Sequence, residues 1–249
     1  VTALSPDLVL RAYAIGFFPM ANDHADPVVH WVEPKRRGIL PLDRFHLSRR
    51  LARTLRNGSF TTTADVAFDA VIRACAEPTP DRPKTWLNRE LIELYGELHR
   101  LGHAHSVETW IGDRLVGGLY GVRLGSAFFG ESMFSRVSDA SKVALADLVW
   151  RLRRGGFTLL DTQFQTEHLA SLGAIEIPRE RYRQLLAAAV PRRAVFPRDI
   201  QSLGEVASGL RGLRIGNGGV SPRDGSDSAE GTAGGAAADG STQAVNHTS

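Results

Sequence analysis

The chain has one cysteine, Cys75, in 249 residues. That excludes an internal disulfide framework and any cysteine-rich zinc site. No apolar run reaches the roughly 18–20 residues that a membrane-crossing helix needs. Residues 1–20 lack a basic stretch ahead of an apolar one, so no secretory leader is expected. Together these point to a cytoplasmic protein. Acid and base nearly balance, at net +3 overall, but the bases are unevenly spread. Lys35 to Arg56 holds eight bases (Lys35, Arg36, Arg37, Arg44, Arg49, Arg50, Arg53, Arg56) against Asp43 alone. Such a patch suits either a polyanionic partner or a solvated helix face.

What is present is an ordinary globular composition, with 43% hydrophobic and 23% charged residues. Ser5-Pro6-Asp7 opens a helix whose expected apolar face is Leu8, Ala12 and Ile15, closed by Gly16. Short strands are expected near 28–32 and 37–40, then a basic helix capped by Ser48. Residues 1–59 therefore read as a small N-terminal α/β domain. A strand at 60–63, a helix over 64–76 with Val66 inward, a loop over 78–83 and a helix over 89–100 follow.

The most informative stretch comes next. Three strand-like runs, from His105, Leu115 and Phe128, are separated by turns. The third places Glu131 among large apolar residues, which is costly for a carboxylate unless a cation meets it. Phe129 and Met133, at i−2 and i+2, are expected to share its face. The cation is either a ligand's or an internal one such as Arg136 or Lys142. A helix over 139–154, a strand over 157–164, and further short elements to 190 complete the body. From Gly204 the composition turns to Gly, Ser, Ala and Asp, so 204–249 is expected to be a disordered tail.

The order from His105, β-β-β-α-β-α-β, describes a mixed sheet in an α+β chain, with 60–203 as an N-acetyltransferase-like (GNAT-like) domain. Arg136 to Lys142, where that fold carries its pyrophosphate loop, contains no glycine. Backbone amides there could not wrap a pyrophosphate in the same way, which argues against acetyl-coenzyme A as donor. His99, His103 and His105 raise a zinc reading, but Gly102 breaks the helix between the first two. No metal or other cofactor is expected.

A collinear set of segments then resembles one family. Ala12-Tyr13-Ala14-Ile15-Gly16-Phe17-Phe18-Pro19, Trp31-Val32-Glu33-Pro34, His46 to Leu51, Thr85-Trp86-Leu87, His105 to Glu108, Leu115 to Val122, Gly130 to Ser135, Asp139 to Lys142, Leu160-Asp161-Thr162-Gln163 and His168 to Gly173 are similar to the bacterial leucyl/phenylalanyl-tRNA–protein transferases. They span nearly all of residues 5–183. Two departures stand out: Met20 replaces a frequent Trp, and Lys35 to Gly38 is more basic than usual.

The resemblance implies an enzyme that moves Leu or Phe, sometimes Met, from aminoacyl-tRNA to the α-amine of proteins beginning with Arg or Lys. That marks them for N-end rule degradation. It implies Asp161 and Gln163 as the catalytic pair, consistent with i, i+2 side chains leaving one strand face. It implies Glu131 as the group that binds the acceptor's basic N-terminal residue. Leu119, Phe128, Met133 and Leu148 would line the donor's side-chain pocket. Trp31 and Trp86 would stack on the 3′-adenosine, and Arg36, Arg37, Arg49 and Arg50 would contact the acceptor stem. The partners are then charged tRNA and acceptor proteins, with no membrane, and the chain is expected to be a monomer. A coenzyme-A-dependent acyltransferase and a tRNA- or peptide-binding module without activity are the alternatives.

Overall fold

The computed structural model describes residues 4–78 and 84–212. Nine strands and eight helices are assigned among them. Helix α1 (Pro6–Ala14) starts where Ser5 Oγ accepts from Leu8 N. Its buried stripe is Val9 and Tyr13, while Ile15 is 63% exposed. The expected face of Leu8, Ala12 and Ile15 was thus turned by one residue. Strands β1 (Phe18–Ala21) and β2 (Val29–Val32) form a separate two-stranded antiparallel ribbon.

Strand β3 (Arg36–Ile39) leaves that ribbon and joins the main sheet, between two strands from the far end of the chain. An N-terminal unit running to 59 therefore shares a strand with the sheet. Helix α2 (Arg49–Asn57) follows, with Ser48 as its cap. Strand β4 (Thr61–Ala64) runs through the residue at which a helix was expected to begin. Asp65 turns the chain at φ 60, so α3 (Phe68–Ala76) starts later and Val66 lies exposed rather than inward. The expected 78–83 loop falls almost wholly outside the described residues.

Helix α4 (Arg89–Arg100) is capped by Asn88. The meander β5 (Ala104–Ile111), β6 (Arg114–Leu124) and β7 (Ala127–Ser135) is antiparallel throughout. Helix α5 (Ala140–Arg154) then crosses to β8 (Leu159–Gln163), which pairs parallel with β7. Helix α6 (Glu167–Ser171), β9 (Ile175–Pro178), α7 (Arg179–Ala189) and α8 (Leu203–Gly212) end the described chain. The seven-stranded mixed sheet has the order β4-β5-β6-β7-β8-β3-β9.

Each sheet face carries its own core. Helices α1, α3, α4 and α7 bury Val9, Tyr13, Val71, Leu91, Tyr95 and Leu186 on one face. Helices α2, α5 and α8 bury Leu51, Val149, Leu152 and Val206 on the other. The tail expected from 204 therefore begins inside a packed helix. Leu203, Val206, Ala207 and Leu210 recur at helical spacing and are buried. Two short apolar turns amid Gly and Ser were too brief to show as a periodic signal. The remainder of that expected tail, 213–249, lies outside the described residues.

Candidate active site

Strands β7 and β8 are paired only from Ala127–Leu159 to Phe129–Asp161. Beyond that point β7 continues and β8 stops, so the strands part. Both sides of the split are irregular. On β7, Gly130 faces Gly121 and Ser132 faces Tyr120, which leaves Glu131 as the extra residue of a bulge. A Cβ on Gly121 would stand 2.3 Å from Phe129 O, so the bulge needs glycine there. On β8, Gln163 holds φ 54, and Phe164 N donates to Thr162 O at 2.6 Å. That is a γ-turn centred on Gln163, in a conformation a side chain adopts at a cost of about 1–3 kcal/mol. Gly38 lies opposite it, where a Cβ would meet Phe164 C at 2.6 Å and Thr162 Oγ1 at 2.8 Å.

The bulge aims Glu131 at the α1/α4 face. Tyr13 Oη donates to Glu131 Oε1 at 2.7 Å, and Tyr95 Oη to Oε2 at 2.9 Å. Gln163 Nε2 crosses the split to Oε1 at 3.1 Å. Among the described residues Glu131 has no ion pair: Arg136 pairs with Glu77, and Lys142 with Asp139. The internal-cation reading is therefore excluded among these residues. Burial pushes the Glu131 carboxyl up to about 7, and nearby Asp161 adds to the rise. The two tyrosine hydrogen bonds and the Arg37 charge act the other way. The bulge also breaks the strand alternation. Phe129 stays with Glu131's face and packs its ring at a tilt against Tyr13, but Met133 turns to the opposite core, contrary to the expected shared face.

Asp161 is wholly buried and saturated. It accepts from Arg37 Nε at 2.9 Å and Nη2 at 2.7 Å, from Tyr182 Oη, and from Gln163 N at 2.8 Å. It therefore holds Gln163 by the main chain and leaves the side chain free to reach Glu131. Arg37, expected on the tRNA surface, is 1% exposed and lies between the Phe18 and Tyr182 rings. Burial opposes its charge, but the Asp161 pair outweighs this and raises its pKa. Strand alternation explains the correction: Arg37 and Ile39 face inward together, and Arg36 faces out to Glu176.

The remaining expected residues divide. Leu119, Phe128 and Leu148 are buried together on the α5 face, and Phe128 packs on Phe157 and Phe196. Met133 is half-buried beside them. The structure thus gathers these four but sets them across the sheet from Glu131. Trp86 is partly buried, its ring edge-on to Tyr95 at 6.5 Å. Trp31 is 38% exposed on β2 and makes no ring contact with Trp86 among the described residues. Arg49 and Arg50 are exposed on α2, and Arg49 has no ion pair among the described residues. His99 and His105 are engaged with Ala104 O and Asp65.

Sequence reasoning missed Tyr13, Tyr95 and Tyr182. A signal existed for two of them: Tyr13 follows Val9 by four residues, and Tyr95 follows Leu91 by four. A tyrosine on a buried stripe needs a partner for its hydroxyl.

The family models and the similar sequences agree on one description. Residues 39–187 match the family model "Leucyl/phenylalanyl-tRNA protein transferase", and residues 2–35 match that of its N-terminal domain. A protein of that name from Nitrobacter winogradskyi is 62% identical over 193 residues, covering 78% of this chain and 86% of the relative. One from Rhizorhabdus wittichii is 63% identical over 188 residues, covering 76% of each. Among solved structures, FemX overlaps 73% of this chain and 71% of its own, at 12% identity and a TM-score of 0.43.

Proposed function

Because this chain belongs to the leucyl/phenylalanyl-tRNA–protein transferase family, we propose that it transfers Leu or Phe from aminoacyl-tRNA to the α-amine of proteins beginning with Arg or Lys. The products enter N-end rule degradation, the enzyme acts as a monomer in the cytoplasm, and Met is a further donor. Its main domain is a GNAT-like acyltransferase, a reading supported by the β-β-β-α-β order and the split between β7 and β8. The family model boundary at 35/39 supports an N-terminal domain that ends before β3.

The observation that carries the site is Glu131: a carboxylate with no ion pair among the described residues, at the split, hydrogen-bonded to Gln163. The acceptor's Arg or Lys side chain supplies the missing charge and lowers the Glu131 pKa as it binds. Its α-amine then stands beside Gln163, whose carbonyl accepts a hydrogen bond from the attacking N–H. The amine nitrogen bonds the ester carbon, the C–O bond to the ribose breaks, and the proton leaves with the ribose oxygen. An amide is too weak a base to remove that proton, so Gln163 positions the amine. Asp161 holds Gln163 in its left-handed conformation. Leu119, Phe128, Met133 and Leu148 receive the donor side chain, Met133 as its half-exposed rim. The outward Arg49, Arg53 and Arg56 of α2 meet phosphates, and Trp31 or Trp86 stacks on the terminal adenine.

Incubating the protein with radiolabelled Leu-tRNA and an Arg-initiated peptide tests this. Label should pass to the peptide, and acetyl-coenzyme A should not serve as donor. Binding of tRNA without label transfer would overturn it.

A further inference from the structure

Strand β8 loses its side-chain alternation at its end. Asp161 and Gln163 point to the α1/α4 face of the sheet, toward Arg37 and Glu131. Leu160 belongs to the opposite core. A regular continuation would send Phe164 after Leu160, to the α5 face. Instead the Phe164 ring stands edge-on to Phe18 at 5.8 Å, and Phe18 is buried in the α1/α4 core with the Arg37 guanidinium over its ring. The γ-turn makes the difference. With φ 54 at Gln163, two consecutive side chains emerge on the face that carries Glu131. Phe164 is nevertheless 45% exposed, against 4% for Phe18. Its main chain lies directly on Gly38, where a Cβ would meet Phe164 C at 2.6 Å and O at 2.8 Å, so the backbone has no room to draw back. A single exposed aromatic ring is ordinary. One held out by a strained turn, next to the side chain that reaches Glu131, is a site feature.

We infer that Phe164 receives the side chain of the acceptor's second residue and favours an apolar or aromatic one. The inference rests on the transferase reading, which puts the acceptor's first side chain on Glu131 and its α-amine at Gln163. From that amine the peptide continues away from Glu131, and Phe164 is the next side chain on the same face. Its ring is supported at one edge by Phe18 and open elsewhere. Covering it with an apolar side chain removes apolar surface of both partners from water and desolvates no charge. Trp86 reaches Glu131 by way of Tyr95, on Oε2, whereas Phe164 adjoins Gln163, on Oε1. The adenine platform proposed at Trp86 is thus separate from Phe164.

Three peptides that differ only at the second position, Arg-Leu, Arg-Phe and Arg-Ser at their N-termini, test this with saturating leucyl-tRNA. Wild type should show a KM about five- to tenfold lower for the Leu and Phe peptides than for the Ser peptide. In Phe164→Ala the three KM values should fall within twofold of one another, because the Leu and Phe peptides lose their advantage. Phe164→Leu, which restores an apolar surface, should keep most of the preference. A wild type that accepts all three peptides with the same KM would overturn the inference. So would a Phe164→Ala protein whose kcat drops alike for every peptide while the preference stays, since the ring would then only pack. A raised KM for leucyl-tRNA with the preference intact would make the ring a nucleobase platform and contradict the inference too. A wild-type protein that labels none of the peptides would remove the transferase reading and the inference with it.

Discussion

Glu131 binds its proton more tightly in the folded protein than at its ordinary value of 4.5, because burial disfavours the charge. Its contribution to stability is full below about pH 4.5 and is lost as pH rises through about 7. Glu131→Gln should therefore be more stable than wild type at pH 8, by about 1–3 kcal/mol, with the difference gone at pH 4. Melts at the two pH values read this directly. Function and stability pull against each other at this residue, as expected where a charge waits for its partner. The tyrosines moderate the same equilibrium. Tyr95→Phe removes a hydrogen bond to the charged form, so the acidic limb of the kcat/KM profile for an Arg-initiated peptide should move to higher pH, by about half a unit to one unit. A limb that stays put would separate Tyr95 from Glu131. Arg37 has a different task from the one its basic neighbours suggested. Arg37→Met leaves Asp161 buried and unpaired, and should cost about 3–5 kcal/mol in urea unfolding, with no change in the salt dependence of tRNA binding.

The strand ends carry the site, and they are where the sequence was hardest to read. Existence and type of the long elements were legible: Ser48 announced a helix, and the meander followed from alternation and turns. Irregularities were not. The bulge at Glu131 needs the partner strand's register before it can be seen, and the same shift carried Met133 to the other core. The γ-turn at Gln163 left no mark in local composition, because its cause is Gly38, 125 positions earlier. Gly38→Ala tests that link. Its methyl would press on Phe164 and Thr162, displace Gln163, and lower kcat by about tenfold to a hundredfold. Leucyl-tRNA affinity should hold within twofold. An unimpaired kcat would show that the glycine merely packs. Helix α8 was missed because Gly and Ser thin out its apolar spacing, yet it closes the α5 core. Ending the chain after residue 202 should cost roughly 4–8 kcal/mol by removing Leu203, Val206 and Leu210 and exposing the α2 and α5 surfaces they cover, measured by the shift in urea midpoint.

At the scale of the molecule, the proposed function gives the two faces of the sheet different recognition tasks. The α1/α4 face holds Glu131, the proposed acceptor side, and the α5 face holds Leu119, Phe128, Met133 and Leu148, the proposed donor side. They meet only where β7 and β8 part. In the proposed function Glu131 is the group that makes the acceptor's first residue matter, and that claim is open to one comparison. Wild type and Glu131→Gln are each given radiolabelled Leu-tRNA with peptides beginning with Arg, Lys or Ala, and kcat/KM is measured for each. Wild type should favour the Arg and Lys peptides over Ala by about a hundredfold or more, and Glu131→Gln should lose that preference while binding Leu-tRNA as before. A Glu131→Gln protein that still prefers Arg and Lys to the same degree would contradict the account.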